Sequence, residues 1–157
     1  CRYARPEGAP NYDPKGLRGD APNGAARYWG LTVQEYYKKA DVWPLVEDGE
    51  IMVVLMIESV EAMENLDEIL KVPGVGAIMI GEGDLSQNLG FPRQYEHPEM
   101  VKAKAEILAK AKAAGVRVAH PHVTGANVAE VIEQGFDILF TQPARTYATL
   151  EKANALM

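Results

Sequence analysis

Ile51-Met52-Val53-Val54-Leu55-Met56-Ile57-Glu58-Ser59 is the stretch on which the fold turns. Seven apolar residues without a break suit a strand buried on both faces, as in a parallel sheet. They are too few to cross a bilayer. Ser59 then reads as the cap of a helix running to about Leu70, with Ala62, Leu66, Ile69 and Leu70 on one apolar face. Gly74 to Ile80 reads as a turn and a second buried strand that stops at Gly81-Glu82-Gly83-Asp84. The same alternation continues. Pro98 opens a third helix, with Met100, Val101, Ile107, Leu108, Ala111 and Ala114 inward and Gly115 closing it. Val116 to Ala119 is a third strand. Thr124 caps a fourth helix with Val128, Val131 and Ile132 inward, and Gly135 closes it. Phe136 to Thr141 is a fourth strand, and Ala144 to Leu156 a last helix.

Strict alternation of strand and helix means parallel strands with right-handed crossovers. An open doubly wound sheet often carries a glycine-rich phosphate loop after its first strand, and Ile57-Glu58-Ser59 is not one. A complete (β/α)8 barrel takes about 250 residues, so four units make half of one. The residues before this core read differently. Positions 1–30 carry Pro6, Pro10, Pro14 and Pro22 and read as a long loop with tight turns. Thr32 to Ala40 is a short helix capped by Thr32, with Tyr36 and Tyr37 partly buried, and Pro44 ends it. The expectation is an α/β chain, half a barrel or a small open sheet, forming one domain over residues 1–157.

Composition excludes several roles. Of the 157 residues, 47% are apolar and 24% charged, which is a globular rather than a disordered balance. The net charge of −6, without a basic run, argues against nucleic acid as a partner. No secretory signal pattern is visible. The single cysteine, Cys1, fits a reducing, cytoplasmic setting and has no nearby histidine to make it a nucleophile. The opening Cys1-Arg2-Tyr3 lacks an initiator methionine and reads as a chain picked up in mid-fold.

In a barrel, side chains at the C-terminal ends of the strands face the active site. Those positions are Glu58, Gly81 to Asp84, His120 to His122, and Gln142. A carboxylate directly after an apolar run is costly to bury without a partner. Two carboxylates on neighbouring strand ends repel unless a cation lies between them, and hard divalent ions take such oxygens. Glu58 and Asp84 are therefore candidate metal ligands. The plainer alternatives are a surface glutamate and a helix-capping aspartate. His120 and His122 are candidates for a base or an extra ligand, although Pro121 keeps them from aiming at one point. His97 reads as a cap before Pro98. Arg18, between glycines, and Arg145 are candidate anion sites, or solvated turn residues.

These residues carry a family resemblance. Ile57-Glu58-Ser59 with Glu64-Asn65-Leu66-Asp67-Glu68-Ile69, then Val72-Pro73-Gly74-Val75, then Ile80-Gly81-Glu82-Gly83-Asp84-Leu85-Ser86 with Leu89-Gly90, resembles the HpcH/HpaI aldolase and citrate lyase family. Arg2-Tyr3, Gly16-Leu17-Arg18-Gly19, Tyr28-Trp29-Gly30, Glu35-Tyr36 and His97-Pro98-Glu99 are similar to further segments of it. The resemblance implies the C-terminal half of a (β/α)8 TIM barrel of the phosphoenolpyruvate/pyruvate type. It implies a class II aldolase that cleaves a 2-keto-4-hydroxy acid to pyruvate and an aldehyde through an enolate. Glu58 and Asp84 would hold Mg²⁺, Mn²⁺ or Co²⁺. The backbone N–H groups of Gly83 and Asp84 would hold the keto-acid carboxylate, and the protein would be a homo-oligomer. The histidine and arginine of the family's acid–base machinery would lie upstream of Cys1. The chain alone is then expected to be inactive or very weak.

Two departures stand out. Residues Ala4 to Lys15 read as an insertion in the first loop. The family's Gly-Pro-Ala-Asp is here Gly81-Glu82-Gly83-Asp84, so Glu82 adds a negative charge beside the metal turn or faces solvent. A citryl-CoA or malyl-CoA lyase is a rival reading, for which no basic patch awaits the CoA phosphates. A metal-binding barrel fragment without catalysis is another.

Overall fold

Tyr3 pairs with Arg18 through an isolated parallel bridge. The computed structural model describes residues 2–5, 7–9, 12–141 and 146–157. Cys1, Gln142, Ala144 and Arg145 lie outside the described residues. The chain divides into two compact units, Cys1–Val53 with Val72–Gly76, and Val54–Lys71 with Ala77–Met157.

The first unit begins with helix α1 (Asn23–Tyr28), inside the segment expected to be loop only. Helix α2 (Val33–Lys39) follows, where it was expected. The Thr32 side chain accepts from the Glu35 N–H, and the Glu35 carboxylate accepts from the Thr32 N–H at 2.8 Å, a complete capping box. Tyr3, Ala26, Tyr36 and Ala40 form a small buried cluster against α2. Exposed Arg18 covers it from outside: its guanidinium lies 4.4 Å from the Tyr3 ring centre and donates to the Tyr36 hydroxyl at 3.1 Å. The candidate anion ligand is thus stacked on aromatic rings. Strand β1 (Val42–Trp43) runs parallel to the start of strand β2 (Ile51–Ile57), with Val42 opposite Ile51. This short strand, just before Pro44, adds a fifth to the four expected.

β2 has the expected bounds but not the expected burial. Met52 and Met56 are 42% and 48% exposed, and they share the Glu58 side of the strand, which is not covered.

In the second unit, the expected single helix after β2 is two. Ser59 caps α3 (Val60–Glu64) by accepting from the Ala62 N–H at 3.1 Å, and α4 (Leu66–Leu70) restarts after Asn65. The Asn65 side chain donates to the Glu61 carbonyl at 2.9 Å, the local competition that interrupts helices at asparagine. Strand β3 (Val75–Ile80) leads into α5 (Glu82–Asn88). α6 (Pro98–Ala113) starts at Pro98 behind a His97 side-chain cap. It buries Met100, Ala103, Ile107 and Ala111 as one stripe. Val101, expected inward, is exposed because it falls off that stripe, and Ala114, also expected inward, is exposed because it is the C-cap, past the last helical residue Ala113.

Strand β4 (Arg117–Val123) runs four residues further at its C-terminal end than the expected strand and contains His120-Pro121-His122. Helix α7 (Val128–Gln134) starts after Asn127 rather than at Thr124, and Gly135 closes it at φ +92°. Thr124 instead opens the preceding turn, its N–H donating to Asn127 Oδ1 at 2.7 Å. Strand β5 (Ile138–Thr141) and helix α8 (Ala148–Asn154) complete the chain.

The strands are hydrogen-bonded in the order β1-β2-β3-β4-β5, and β1·β2, β3·β4 and β4·β5 are parallel. The order never reverses. A doubly wound sheet binds its ligand where the order does reverse, so this α/β sheet has the connectivity of a barrel segment instead.

Candidate functional site

The site lies where β2 and β3 end. The Gly81 N–H donates to the Ile57 carbonyl at 2.9 Å, which brings the turn after β3 against the turn after β2. Glu58, the residue after Ile57, lays its side chain over Gly81. A Cβ on Gly81 would stand 2.7 Å from Glu58 Cβ and 2.9 Å from Glu58 Oε2. Glycine is required there because only a bare Cα leaves room for the carboxylate.

Glu58 is half-buried, and among the described residues no donor or cation pairs with its carboxylate. Asp84 is exposed and equally without a side-chain partner among the described residues. It sits in the first turn of α5, not at the end of the strand. Gly81 takes the N-cap position that Asp84 was weighed for, and α5 has no side-chain cap. The first bond within the helix runs from Leu85 N–H to Gly81 C=O at 2.9 Å. The N–H groups of Glu82, Gly83 and Asp84 therefore precede the helix's own ladder.

Glu82 does not point beside the metal turn. It is 7% exposed, and its carboxylate takes a hydrogen-bonded ion pair from Lys104 Nζ on α6 at 3.0 Å. No sequence signal named Lys104, which lies 22 residues away. His120 is near this pair, in a polar cleft of about 430 Å³ lined by Glu82, Tyr95, Lys104, His122 and Glu130 among others. Its ring meets Phe136 edge-on at 4.9 Å, and its Nδ1 accepts from the His122 N–H at 3.2 Å. Burial pushes the His120 pKa down, and the Glu82 charge only partly opposes this. The two histidines lie within β4 rather than beyond it, and both line that cleft, His120 partly buried and His122 exposed. His97 caps α6 by accepting from the Glu99 N–H at 3.3 Å and stacks on Phe91, as a cap and not a catalytic group.

Among the described residues no cluster of three or more His, Cys, Asp or Glu side chains is grouped to hold a metal. What the chain offers is two oxygen donors. That set fits a hard divalent ion with open coordination positions.

The chain is a parallel α/β barrel segment with one carboxylate just after β2 and a second in the first turn of α5, and the sequence comparisons give its family. The HpcH/HpaI aldolase/citrate lyase family profile matches residues 7–141, and the chain belongs to that family. It is 35% identical over 108 residues to the 2-keto-3-deoxy-L-rhamnonate aldolase of Klebsiella pneumoniae, covering 68% of this chain and 38% of that protein. It is 32% identical over 150 residues to the 2-dehydro-3,6-dideoxy-6-sulfogluconate aldolase of Pseudomonas putida, covering 95% of this chain and 55% of that protein. The crystal structure of an HpcH/HpaI aldolase/citrate lyase family protein from Burkholderia cenocepacia superposes with a TM-score of 0.71 at 26% identity, over 99% of this chain and 55% of that one. The chain thus spans roughly half, or less, of the length of these relatives. No helix among the described residues is long and apolar enough to cross a membrane.

Proposed function

We propose that this chain carries the metal-binding part of a carbon–carbon lyase that cleaves a 2-keto-4-hydroxy acid to pyruvate and an aldehyde. The observation that carries the reading is the Glu58 carboxylate, unpartnered among the described residues and seated over Gly81. Asp84 stands three residues further along the same turn. Both relatives named above are aldolases of keto-deoxy acids, which supports the substrate class. In this reading residues 1–157 are one domain, the C-terminal half of a (β/α)8 barrel, in a protein that assembles as a homo-oligomer.

Glu58 and Asp84 would hold Mg²⁺, Mn²⁺ or Co²⁺. The bound ion supplies Lewis-acid stabilisation of the negative charge that develops on a keto oxygen. The chain's own residues do the rest of the positioning. Gly81 keeps the Glu58 side chain at the mouth of β3. The N–H groups of Gly83 and Asp84, ahead of the α5 ladder, orient the keto-acid carboxylate. His120 is not assigned the proton transfer: its Nδ1 is occupied by the His122 N–H, and its cleft is shared with Lys104.

Metal titration tests this reading. Chelator-stripped chain is titrated with Mn²⁺, following the electron paramagnetic resonance signal of the free ion, and then with pyruvate. Glu58→Ala is expected to abolish tight Mn²⁺ binding, and pyruvate is expected to bind only to the loaded wild-type chain. Unchanged Mn²⁺ affinity in Glu58→Ala would sink the metal assignment. Metal binding without any response to pyruvate would favour a metal-binding fragment without catalysis.

A further inference from the structure

We propose that Lys104 is a positioning residue for this site: its ion pair with buried Glu82 fixes the rotation of α5 and so aims Asp84. The inference rests on the metal reading given above.

Glu82 is the first residue of α5 and Asp84 the third. Two steps along an α-helix turn a side chain by about 200°. Holding Glu82 against α6 therefore directs Asp84 to the opposite side, where it is exposed. A seven-residue helix has too few internal hydrogen bonds to fix its own orientation. External anchors must do so. One is the Gly81 N–H bond to Ile57 C=O, which fixes where the helix starts. A second is Leu85, fully buried beneath the helix. A third is Ser86, whose Oγ donates to the Gly83 carbonyl at 2.7 Å and accepts from the Arg93 N–H at 3.0 Å. Among the described residues Glu82–Lys104 is the only ion pair made by α5, and it holds the first turn, which carries Asp84.

The carboxylate of Glu82 is nearly inaccessible, so its charge needs Lys104. Removing Lys104 leaves a buried anion, which is costly. The cheapest relief is for the first turn to rotate until Glu82 reaches water. That rotation changes where Asp84 points relative to Glu58, which packs on the helix's N-cap residue Gly81. Lys104 thus acts on metal binding without touching the metal, as outer partners of ligands commonly do.

The test compares Mn²⁺ affinity in the full chain at a temperature where every variant is folded, with metal-free melting curves recorded alongside. Lys104→Met is expected to weaken Mn²⁺ binding about tenfold. Lys104→Arg, which keeps the charge, is expected to stay close to wild type. A residue that only stabilised the fold would lower the melting curve and leave the affinity of the folded chain alone, and that result would overturn the inference. If Lys104→Met does not melt cooperatively, Lys104→Gln, which keeps a donor for Glu82 but removes the charge, carries the same comparison. Glu58→Gln separates the two levels. If Glu58→Gln abolishes binding while Lys104→Met does not weaken it, only the Lys104 proposal fails. If Glu58→Gln binds like wild type, the metal reading fails and takes this one with it.

Discussion

Glu58 lies so close over Gly81 that no other residue fits at position 81 without displacing it. The φ of Gly81 is −81°, a value open to any residue, so space and not backbone conformation demands the glycine. Gly81→Ala is expected to cost about 1–3 kcal/mol through overpacking. It is also expected to lower Mn²⁺ affinity at least as far as Lys104→Met, because the atoms met are the Cβ and Oε2 of a ligand. Thermal melts and the Mn²⁺ titration check the two effects separately. A Gly81→Ala chain with wild-type affinity would mean that the Glu58 side chain is not held where binding needs it.

Gly83 is the internal control. A Cβ there meets nothing within 4 Å, and the residue lies inside α5. Gly83→Ala is expected to stabilise the chain by about 0.5–1 kcal/mol, the ordinary helix preference of alanine over glycine. Melting in parallel with Gly81→Ala measures it. A loss of stability at both positions would show that crowding at Gly81 is not what sets it apart.

The contrast between these glycines marks how far the sequence could be read. The apolar run 51–57 declared a strand, Thr32 declared the cap of α2, and His97-Pro98 declared the start of α6; all three signals are local. Glu58 and Asp84 were candidates for the same reason. What stayed hidden depends on partners distant in sequence. β1 is two residues long and becomes a strand only by pairing with Ile51 and Met52. The third strand was expected to stop at Ala119, two residues before Pro121, whose missing N–H weakens a ladder. The strand instead continues to Val123 across an irregularity in its pairing with β5, the place where a sheet tolerates proline. Glu82 looked like a solvent-facing or metal-facing charge until Lys104 came into view.

His120 predicts an acid-sensitive step. Burial lowers its folded pKa beneath the ordinary value of about 6.5. Between those two values the unfolded chain binds a proton that the folded chain resists, so stability rises with pH there. The contribution of neutral His120 is complete above about pH 6.5 and declines as pH falls toward the folded pKa. Melting temperatures from pH 8 to pH 5 are expected to fall more steeply for wild type than for His120→Gln. Parallel slopes would show that His120 titrates as it does in water.

Asp41 governs acid stability in the other unit. It is wholly buried, and burial alone would raise its pKa. Arg2 at 2.6 Å, the Val42 N–H at 2.8 Å and Arg5 at 3.3 Å outweigh burial and hold the carboxyl below its ordinary value. Arg2 also donates to the Pro14 carbonyl at 2.8 Å, so the network fastens the long first loop to the start of β1. Asp41→Asn leaves the Arg2 guanidinium buried without its counter-charge and is expected to cost about 3 kcal/mol or more. A folded pKa below the unfolded one contributes stability that is complete above about pH 3.9. It is lost as pH falls from there through the folded value. The gap in urea-unfolding free energy between wild type and Asp41→Asn should therefore be constant at neutral pH and close in strong acid. A gap that persisted unchanged below pH 2 would mean that the asparagine variant fails by packing and not by loss of charge.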